Sequence, residues 1–223
     1  MNLTNHLGKI ALVFVILVTG YTFYSTKLDI EKHAAANSTF VDDSGHLHVL
    51  GLILPGSTLR EAEIKLKSRA DTAIYIYPGE QGGRVTLEAF FPSIADHSKV
   101  ILQLQASQAM LEAMQQHATP PRLYPDGVVR MNLGDEDVLK VLTLPITGLS
   151  LIPSLEIDQK MLAARFGKPA KEVDEGKGVI RQEYPDVYLT TILSPDGRAR
   201  LDFTVPDKPA TADVPISKAS VTK

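Results

Sequence analysis

The 223-residue chain contains no cysteine and no tryptophan. The absence of cysteine excludes disulfides, thiolate metal sites, cysteine nucleophiles and a lipid anchor on cysteine. The net charge is −3, without the excess of basic residues that nucleic-acid-binding proteins carry. Hydrophobic residues make up 44% of the chain and charged residues 22%, which is typical of a folded globular protein. This length allows one domain or two small ones.

The first 27 residues differ from the rest because they contain no aspartate or glutamate, and only Lys9 and Lys27 are basic apart from histidine. Between these lysines lies an uncharged run of 17 residues, Ile10 to Thr26. At about 1.5 Å per residue, a helix of that length spans roughly 26 Å, close to the ~30 Å hydrocarbon core of a bilayer. We therefore predict a transmembrane helix that anchors the chain through residues 10–26.

Two other interpretations of the N-terminal run stay open. A cleaved signal peptide would have a similarly short apolar run and would release the rest of the chain as a secreted protein. A buried core helix is the third interpretation. Because long domains cross a membrane largely regardless of their charge, the favoured localisation is the bacterial inner membrane. The N-terminus would then lie in the cytoplasm and the C-terminal domain in the periplasm.

The pattern of the remaining chain predicts an α+β fold in which antiparallel sheets pack with short helices. We expect an anchor at residues 1–27, a linker at 28–45, a first module at 46–145, a second at 146–206 and a disordered tail at 207–223. Beyond Lys27 the chain has 21 basic and 26 acidic residues, a net charge of −5 that disfavours binding to nucleic acid.

Several segments show clear helix or strand patterns. Thr58 and Glu61 have the spacing of a capping box, and Asp158 is a candidate N-cap for the last helix. The Ser107–His117 pattern would bury Met110, Leu111 and Met114, and the last helix would bury Met161, Leu162 and Phe166. The predicted helices are Thr58–Lys67, Ser107–His117, Asp135–Leu142 and one that begins after Asp158. The predicted strands are Leu47–Leu54, Ala73–Tyr77, Arg84–Phe91, Lys99–Gln105, Ile146–Ile152, Val179–Tyr184, Val187–Leu193 and Arg198–Val205.

Two parts of the chain are alike at an offset of about 100 residues. Gly51–Pro55 precedes the helix capped by Thr58, and Gly148–Pro153 precedes the helix capped by Asp158. Strand patterns follow each helix. This arrangement predicts a duplicated helix–strand–strand(–strand) module.

The second copy resembles a known envelope module. Its helix runs from Asp158 to Gly167 and Pro169, and Pro195-Asp196-Gly197 lies in its last hairpin. These motifs resemble the BamE/SmpA type of envelope lipoprotein domain and the related β-lactamase-inhibitor-protein fold. The resemblance covers about 50 of the 223 residues. It implies a periplasmic α/β interaction module rather than an enzyme.

Two histidine-containing motifs are the main candidates for chemistry. His46 and His48 alternate near Asp42 and Asp43, and a His-x-His motif beside an acid suits a metal ion. An exposed face at the start of a strand explains the same residues. Asp96-His97-Ser98 contains the residue types of a hydrolase triad, but adjacent residues do not readily converge in the required geometry. We therefore predict no catalytic, cofactor-binding or metal-binding residues and no cofactor.

These features predict a membrane-anchored periplasmic protein that acts as a non-catalytic protein-interaction module. The expected partner is another envelope protein, with membrane contact through residues 10–26 and no nucleic acid. One alternative is a membrane-tethered hydrolase, for which His46, His48 and His97 are the first residues to test. The other is a carrier of an apolar ligand or lipid, which would need a cavity between sheet and helices.

Overall fold

The fold is known from a computed structural model that describes residues 38–79 and 83–206. The predicted anchor at residues 1–27, residues 28–37 of the expected linker and the tail at 207–223 lie outside the described ranges. Within those ranges, no helix is long and apolar enough to cross a membrane.

Most of the described chain is antiparallel sheet, with thirteen strands and four α-helices. The strands are β1 (Phe40–Val41), β2 (Leu47–Val49), β3 (Leu52–Leu54), β4 (Asp71–Tyr77), β5 (Arg84–Phe91), β6 (Lys99–Leu104), β7 (Arg122–Leu123), β8 (Val129–Asn132), β9 (Ile146–Ile152), β10 (Lys171–Gly176), β11 (Val179–Tyr184), β12 (Leu189–Leu193) and β13 (Ala199–Thr204). The helices are α1 (Leu59–Leu66), α2 (Gln108–His117), α3 (Asp135–Val141) and α4 (Gln159–Phe166).

The predicted fold class, α+β behind a transmembrane helix, is wrong. The described residues form a mainly antiparallel β structure with short helices, and they contain no helix that could span a membrane. Strands β1, β7, β8 and β10 were not expected. Three of them are short, with two to four residues, and β10 is mostly charged, so none offers an alternation of apolar and polar residues long enough to identify a strand in sequence.

Ten strands form one antiparallel sheet in the order β10-β11-β12-β13-β9-β6-β5-β4-β8-β7, and β1-β2-β3 form a separate small sheet. Strand β9 joins the halves of the large sheet because it pairs with β6 on one side and β13 on the other. Residues 46–145 and 146–206, expected as two modules, therefore contribute strands to the same continuous sheet.

One face of the large sheet is covered and holds the core. Leu87, Ala89 and Phe91 alternate along β5, and Leu102 lies opposite Ala89 in β6. These side chains are buried in one cluster with residues of every helix, including Leu162 of α4. The small sheet contributes its apolar residues to the same cluster. The opposite face of the large sheet is left without a covering helix from the described chain.

Capping explains where two of the helices begin. The Thr58 side chain accepts a hydrogen bond from the Glu61 N–H over 3.3 Å, and the Glu61 carboxylate accepts one from the Thr58 N–H over 2.7 Å. The Asp158 carboxylate accepts a hydrogen bond from the Met161 N–H over 2.8 Å. The predicted capping box and the predicted cap of the last helix are both confirmed. Each set of contacts satisfies backbone donors that a helix start leaves free.

Local geometry corrects three details. The strand predicted from Leu47 to Leu54 is a tight hairpin of β2 and β3, because Leu50 and Gly51 both adopt positive φ, 51° and 75°. Met161, expected in the core, is 53% exposed. Met110 is also exposed, whereas Leu111 and Met114 of the same helix are buried as predicted.

The two copies of the expected repeat share an order of elements. Strand β3, helix α1 and the meander β4-β5-β6 come first, and β9, α4 and the meander β10-β11-β12-β13 follow. However, β3 belongs to the small sheet and β9 to the large one. A duplication therefore stays a prediction.

Candidate functional site

The face of the large sheet that no helix of the described chain covers is the main candidate site, and we call it the open face. Strand alternation directs Tyr75 and Tyr77 of β4 to this side, with Thr86 and Arg84 as their partners in β5. In the same way Gln103 of β6 lies opposite Gly148. The residues at its centre are Tyr75, Tyr77, Arg84, Thr86, Glu88, Ile101, Gln103, Gly148, Ser150, Arg200, Asp202 and Thr204.

One end of the open face carries three tyrosines, each with an arginine over its ring. The guanidinium carbon lies 5.1 Å from the ring centroid for Arg84 over Tyr77 and 6.0 Å for Arg130 over Tyr75. It lies 5.3 Å away for Arg122 over Tyr124, which directly follows β7. These distances are those of cation–π contacts. We call the six residues the tyrosine–arginine cluster.

A nearly buried carboxylate lies beside this cluster. Glu88 is only 9% exposed, and its Oε1 accepts hydrogen bonds from the Tyr77 hydroxyl over 2.9 Å and the Thr86 hydroxyl over 2.8 Å. Burial and the neighbouring Glu88 carboxylate raise the pKa of Tyr77 above its usual range. Tyr77 therefore stays protonated at neutral pH, when it donates to Glu88.

Other acids of the open face also have donors. Asp202 accepts hydrogen bonds from Arg200 Nε over 2.8 Å and from the Ser150 hydroxyl over 2.5 Å. Asp71 pairs with Arg130 over 2.5 Å. By contrast, no carboxylate of the described residues lies within ion-pair distance of the Arg84 guanidinium. Within the described chain, the Arg84 guanidinium is therefore available to contact a ligand.

Two adjoining cavities open on this face. The first, which we call the central cavity, has a volume of about 230 Å³ and lies between Tyr77 and Glu88 on one side and Arg200 and Asp202 on the other. The second, which we call the strand-end cavity, has a volume of about 410 Å³ and extends to Pro206. Their shared lining residues are Arg84, Gln103 and Thr204.

The histidines predicted as metal-ligand candidates do meet an acid. His48 Nε2 lies 3.0 Å from Asp42 Oδ2 and His46 Nδ1 lies 3.6 Å from it, while the Phe40 ring stacks on His48 at 4.4 Å. The hydrogen bond from His48, with the backbone N–H of His46, lowers the pKa of Asp42 to about 2. Within the described ranges, no three His, Asp or Glu side chains are arranged to hold a metal ion. These contacts of Asp42, His46 and His48 stabilise the small sheet of β1, β2 and β3.

The Asp96-His97-Ser98 motif forms a turn between β5 and β6. Asp96 Oδ1 accepts a hydrogen bond from the Ser98 N–H over 3.0 Å, and the Ser98 hydroxyl accepts one from the Ser154 N–H over 3.2 Å. His97 adopts a positive φ of 65° and is exposed. The acid and the hydroxyl thus bind backbone groups, as in a polar turn, and do not form a nucleophile–base relay.

The open face was not recognised from the sequence, although a signal for it exists. Tyr75 and Tyr77 occupy alternate positions of β4, and Arg84, Thr86 and Glu88 occupy alternate positions of β5. The same alternation places Leu87, Ala89 and Phe91 on the apolar side of β5. The complementary set predicts a polar, aromatic surface on the other side.

The chain matches no family model, no curated protein and no solved structure. The resemblance of the second copy to the BamE/SmpA module therefore stays a prediction, and the functional proposal rests on the geometry of the open face.

Proposed function

We propose that the chain is a non-catalytic protein-interaction module, tethered to a membrane, that binds its partner through the open face. The single observation that carries this proposal is a sheet face that no helix of the described residues covers and that concentrates tyrosine and arginine. Tyrosine and arginine are enriched in protein interfaces and dominate their binding energy, since each combines a large contact area with directional donors.

The side chains of the open face are already held in place. The arginines of the tyrosine–arginine cluster stack on its rings, and hydroxyl donors fix the Glu88 carboxylate. Pre-ordered side chains lose less rotamer entropy on association. The paired acids also matter because docking would otherwise bury uncompensated charge. The surface is therefore prepared for contact with another protein.

Both edges of the large sheet are poorly suited to partner binding. Edge strand β10 is KEVDEG and is mostly exposed. Edge strand β7 has two residues and directly follows Pro120 and Pro121. Charged, short and proline-flanked edges discourage the addition of another strand. A partner is therefore expected on the open face rather than at an edge.

The membrane tether in this proposal comes from the apolar run Ile10–Thr26, which lies outside the described residues. It would hold the module on the periplasmic side of a bacterial inner membrane, where the partner is another envelope protein. A full-length fusion to a reporter active only in the periplasm should stay with membranes during a carbonate wash. The same fusion lacking residues 10–24 should not. A full-length fusion that is shortened and soluble would refute the tether.

The packing supports the interaction module over its alternatives. A lipid carrier would need space between sheet and helices, and there the side chains of Phe91 and Phe203 are fully buried in the core cluster. A hydrolase would need converging titratable groups. Of its first suspects, His46 and His48 brace the small sheet, and His97 lies in the turn before β6.

Site-specific photo-crosslinking tests the open face directly. A photoreactive residue is placed at Thr204 or Ile192, both on the open face, and separately at Ile64 of α1, which is 69% exposed on the helix side. We expect one adduct of the same mass from both open-face positions and none from Ile64, with less adduct when Tyr75→Ala is added. Equal adducts from both sides, or none from the open face, would contradict the proposal.

A further inference from the structure

We propose that the partner inserts an aspartate or glutamate side chain between the central and strand-end cavities, where it pairs with Arg84. This inference rests on the proposed function and names the chemistry that its open face recognises. It follows from the position of Arg84, the space left by Gly148 and the balance of charges around them.

Arg84 lies where the two cavities meet. It lines both of them together with Gln103 and Thr204. Gln103 adds an amide donor and Thr204 a hydroxyl donor at the same place. A carboxylate held there would have three kinds of donor within one small region of the face.

Gly148 lines the central cavity beside one of these donors. It lies in the interior of β9, between Gln103 and Thr204 of the neighbouring strands. A Cβ atom at this position would lie 3.3 Å from Gln103 Oε1 and 3.5 Å from the Phe203 carbonyl oxygen. Glycine inside a strand often marks a place where another group approaches the backbone closely. Here the lack of a side chain leaves room for the Gln103 amide at the wall of the central cavity.

The balance of charges favours an anion. The acids of the central cavity, Glu88 and Asp202, already accept hydrogen bonds from side chains of the open face. Arg84 is the one charged residue in the lining of the strand-end cavity, and it has no carboxylate partner in the described chain. Its guanidinium lies over the Tyr77 ring, 5.1 Å from the centroid. An arginine stacked in this way keeps its N–H edge available for a bidentate carboxylate.

An acidic peptide of simple composition tests this inference and does not require the natural partner. The probe is a fluorescein-labelled decapeptide of alternating Glu and Ser, and the matched probe has Gln in place of Glu. Each is titrated into the full chain in detergent micelles at low salt, and fluorescence anisotropy reports binding. The variants are Arg84→Gln, Gly148→Val and Lys65→Gln. Lys65→Gln is the control because it removes the same charge from the helix side.

We expect the Glu peptide to bind and the Gln peptide to bind at least about tenfold more weakly, as for the loss of one charged hydrogen-bonded contact. Arg84→Gln should weaken binding by a similar factor. Gly148→Val should do so without a change in charge, because it fills the cavity. Lys65→Gln should have little effect. Circular dichroism of each variant verifies that it is folded.

Three outcomes would overturn the inference: no binding of the Glu peptide, equal effects of Arg84→Gln and Lys65→Gln, or displacement of the peptide by inorganic phosphate at lower concentration than by glutamate. The crosslinks from Thr204 and Ile192 show whether a negative peptide result contradicts only the carboxylate inference or also the proposed function. If the crosslinks persist while the peptide result is negative, only the carboxylate inference fails. If both are lost, the open face is not the interaction surface.

Discussion

Tyr77 of β4 lies opposite Arg84 of β5, yet its hydroxyl reaches along the hairpin and donates to the Glu88 carboxylate over 2.9 Å. A second hydroxyl, from Thr86, donates to the same oxygen over 2.8 Å. Two hydroxyl groups thus replace part of the water that an exposed carboxylate would bind. The polar Glu88 side chain is thereby given partners beside the central cavity, where unpaired burial would be unfavourable.

Replacing Tyr77 with phenylalanine should lower the free energy of unfolding by about 1–2 kcal/mol, because Glu88 loses one of its donors. Urea unfolding at neutral pH measures the change. Tyr75→Phe is the matched control, because the Tyr75 hydroxyl makes no hydrogen bond to the described part of the chain. This substitution should change stability by less than about 0.5 kcal/mol. Equal losses in the two variants would show that the Tyr77–Glu88 bond contributes little.

Stability should also fall at alkaline pH through Tyr77. Its pKa is raised in the folded protein by burial and by Glu88, whereas a tyrosine in the unfolded chain ionises near pH 10. Above about pH 10 the unfolded chain loses a proton that the folded chain retains, so stability falls as pH rises. Unfolding measured at about pH 8, 10 and 11 should show a shallower fall for Tyr77→Phe. Parallel curves for this variant and the unaltered protein would argue against the coupling.

Asp42 gives the opposite dependence at acid pH. The hydrogen bond from His48 lowers its pKa to about 2 in the folded protein, from 3.8. Its contribution to stability is therefore complete above pH 4 and is lost as pH falls toward 2. Asp42→Asn should lower stability at neutral pH and flatten this part of the pH profile. Asp43→Asn removes the same charge from the adjacent exposed position, and it should leave the acid limb of a thermal-melting series unchanged.

The capping box of α1 offers a test of local helix energetics. Thr58→Ala removes the side-chain oxygen that accepts from the Glu61 N–H and should cost about 1 kcal/mol of stability. Thr58→Ser keeps a hydroxyl and should recover most of the loss. Chemical denaturation of the three proteins distinguishes a capping effect from a general effect of the mutation. If serine and alanine behave alike, the cap is not the cause.

Core packing predicts a large contrast between two apolar positions. Phe203 is fully buried, and Phe203→Ala should lower stability by about 3–5 kcal/mol through lost burial and a cavity. Leu155 is 76% exposed, and Leu155→Ala should change stability by less than about 0.5 kcal/mol. Thermal or urea unfolding measures both. Comparable effects would contradict the burial of Phe203 and the exposure of Leu155.

The helices that a local signal specifies could be predicted from the sequence. Thr58 with Glu61 gives the start of α1, and Asp158 with Gly167 gives both the start and the end of α4. The pattern of Arg198–Val205 likewise predicted the strand β13. These features depend on neighbours in sequence, so the order of strands in the sheet does not affect them.

The features that depend on distant pairing could not be predicted in this way. Strand β10 is mostly charged, and it becomes a strand because β11 pairs with it. Arg84 and Gly148 line the same cavity only because β5, β6 and β9 are neighbours in the sheet. Strand β9 follows β6 in the chain only after about 40 residues. The open face is therefore a product of sheet order, which single-strand patterns do not contain.

The position of β9 has a consequence for any attempt to divide the protein. If the chain were cut before Ile146, β6 would lose β9, one of its two partners, and expose a row of backbone donors and acceptors on that side. That edge would carry the apolar side chains Val100, Leu102 and Leu104, a combination that recruits other strands and promotes aggregation. Fragments ending there should self-associate unless the second fragment is supplied to complement them.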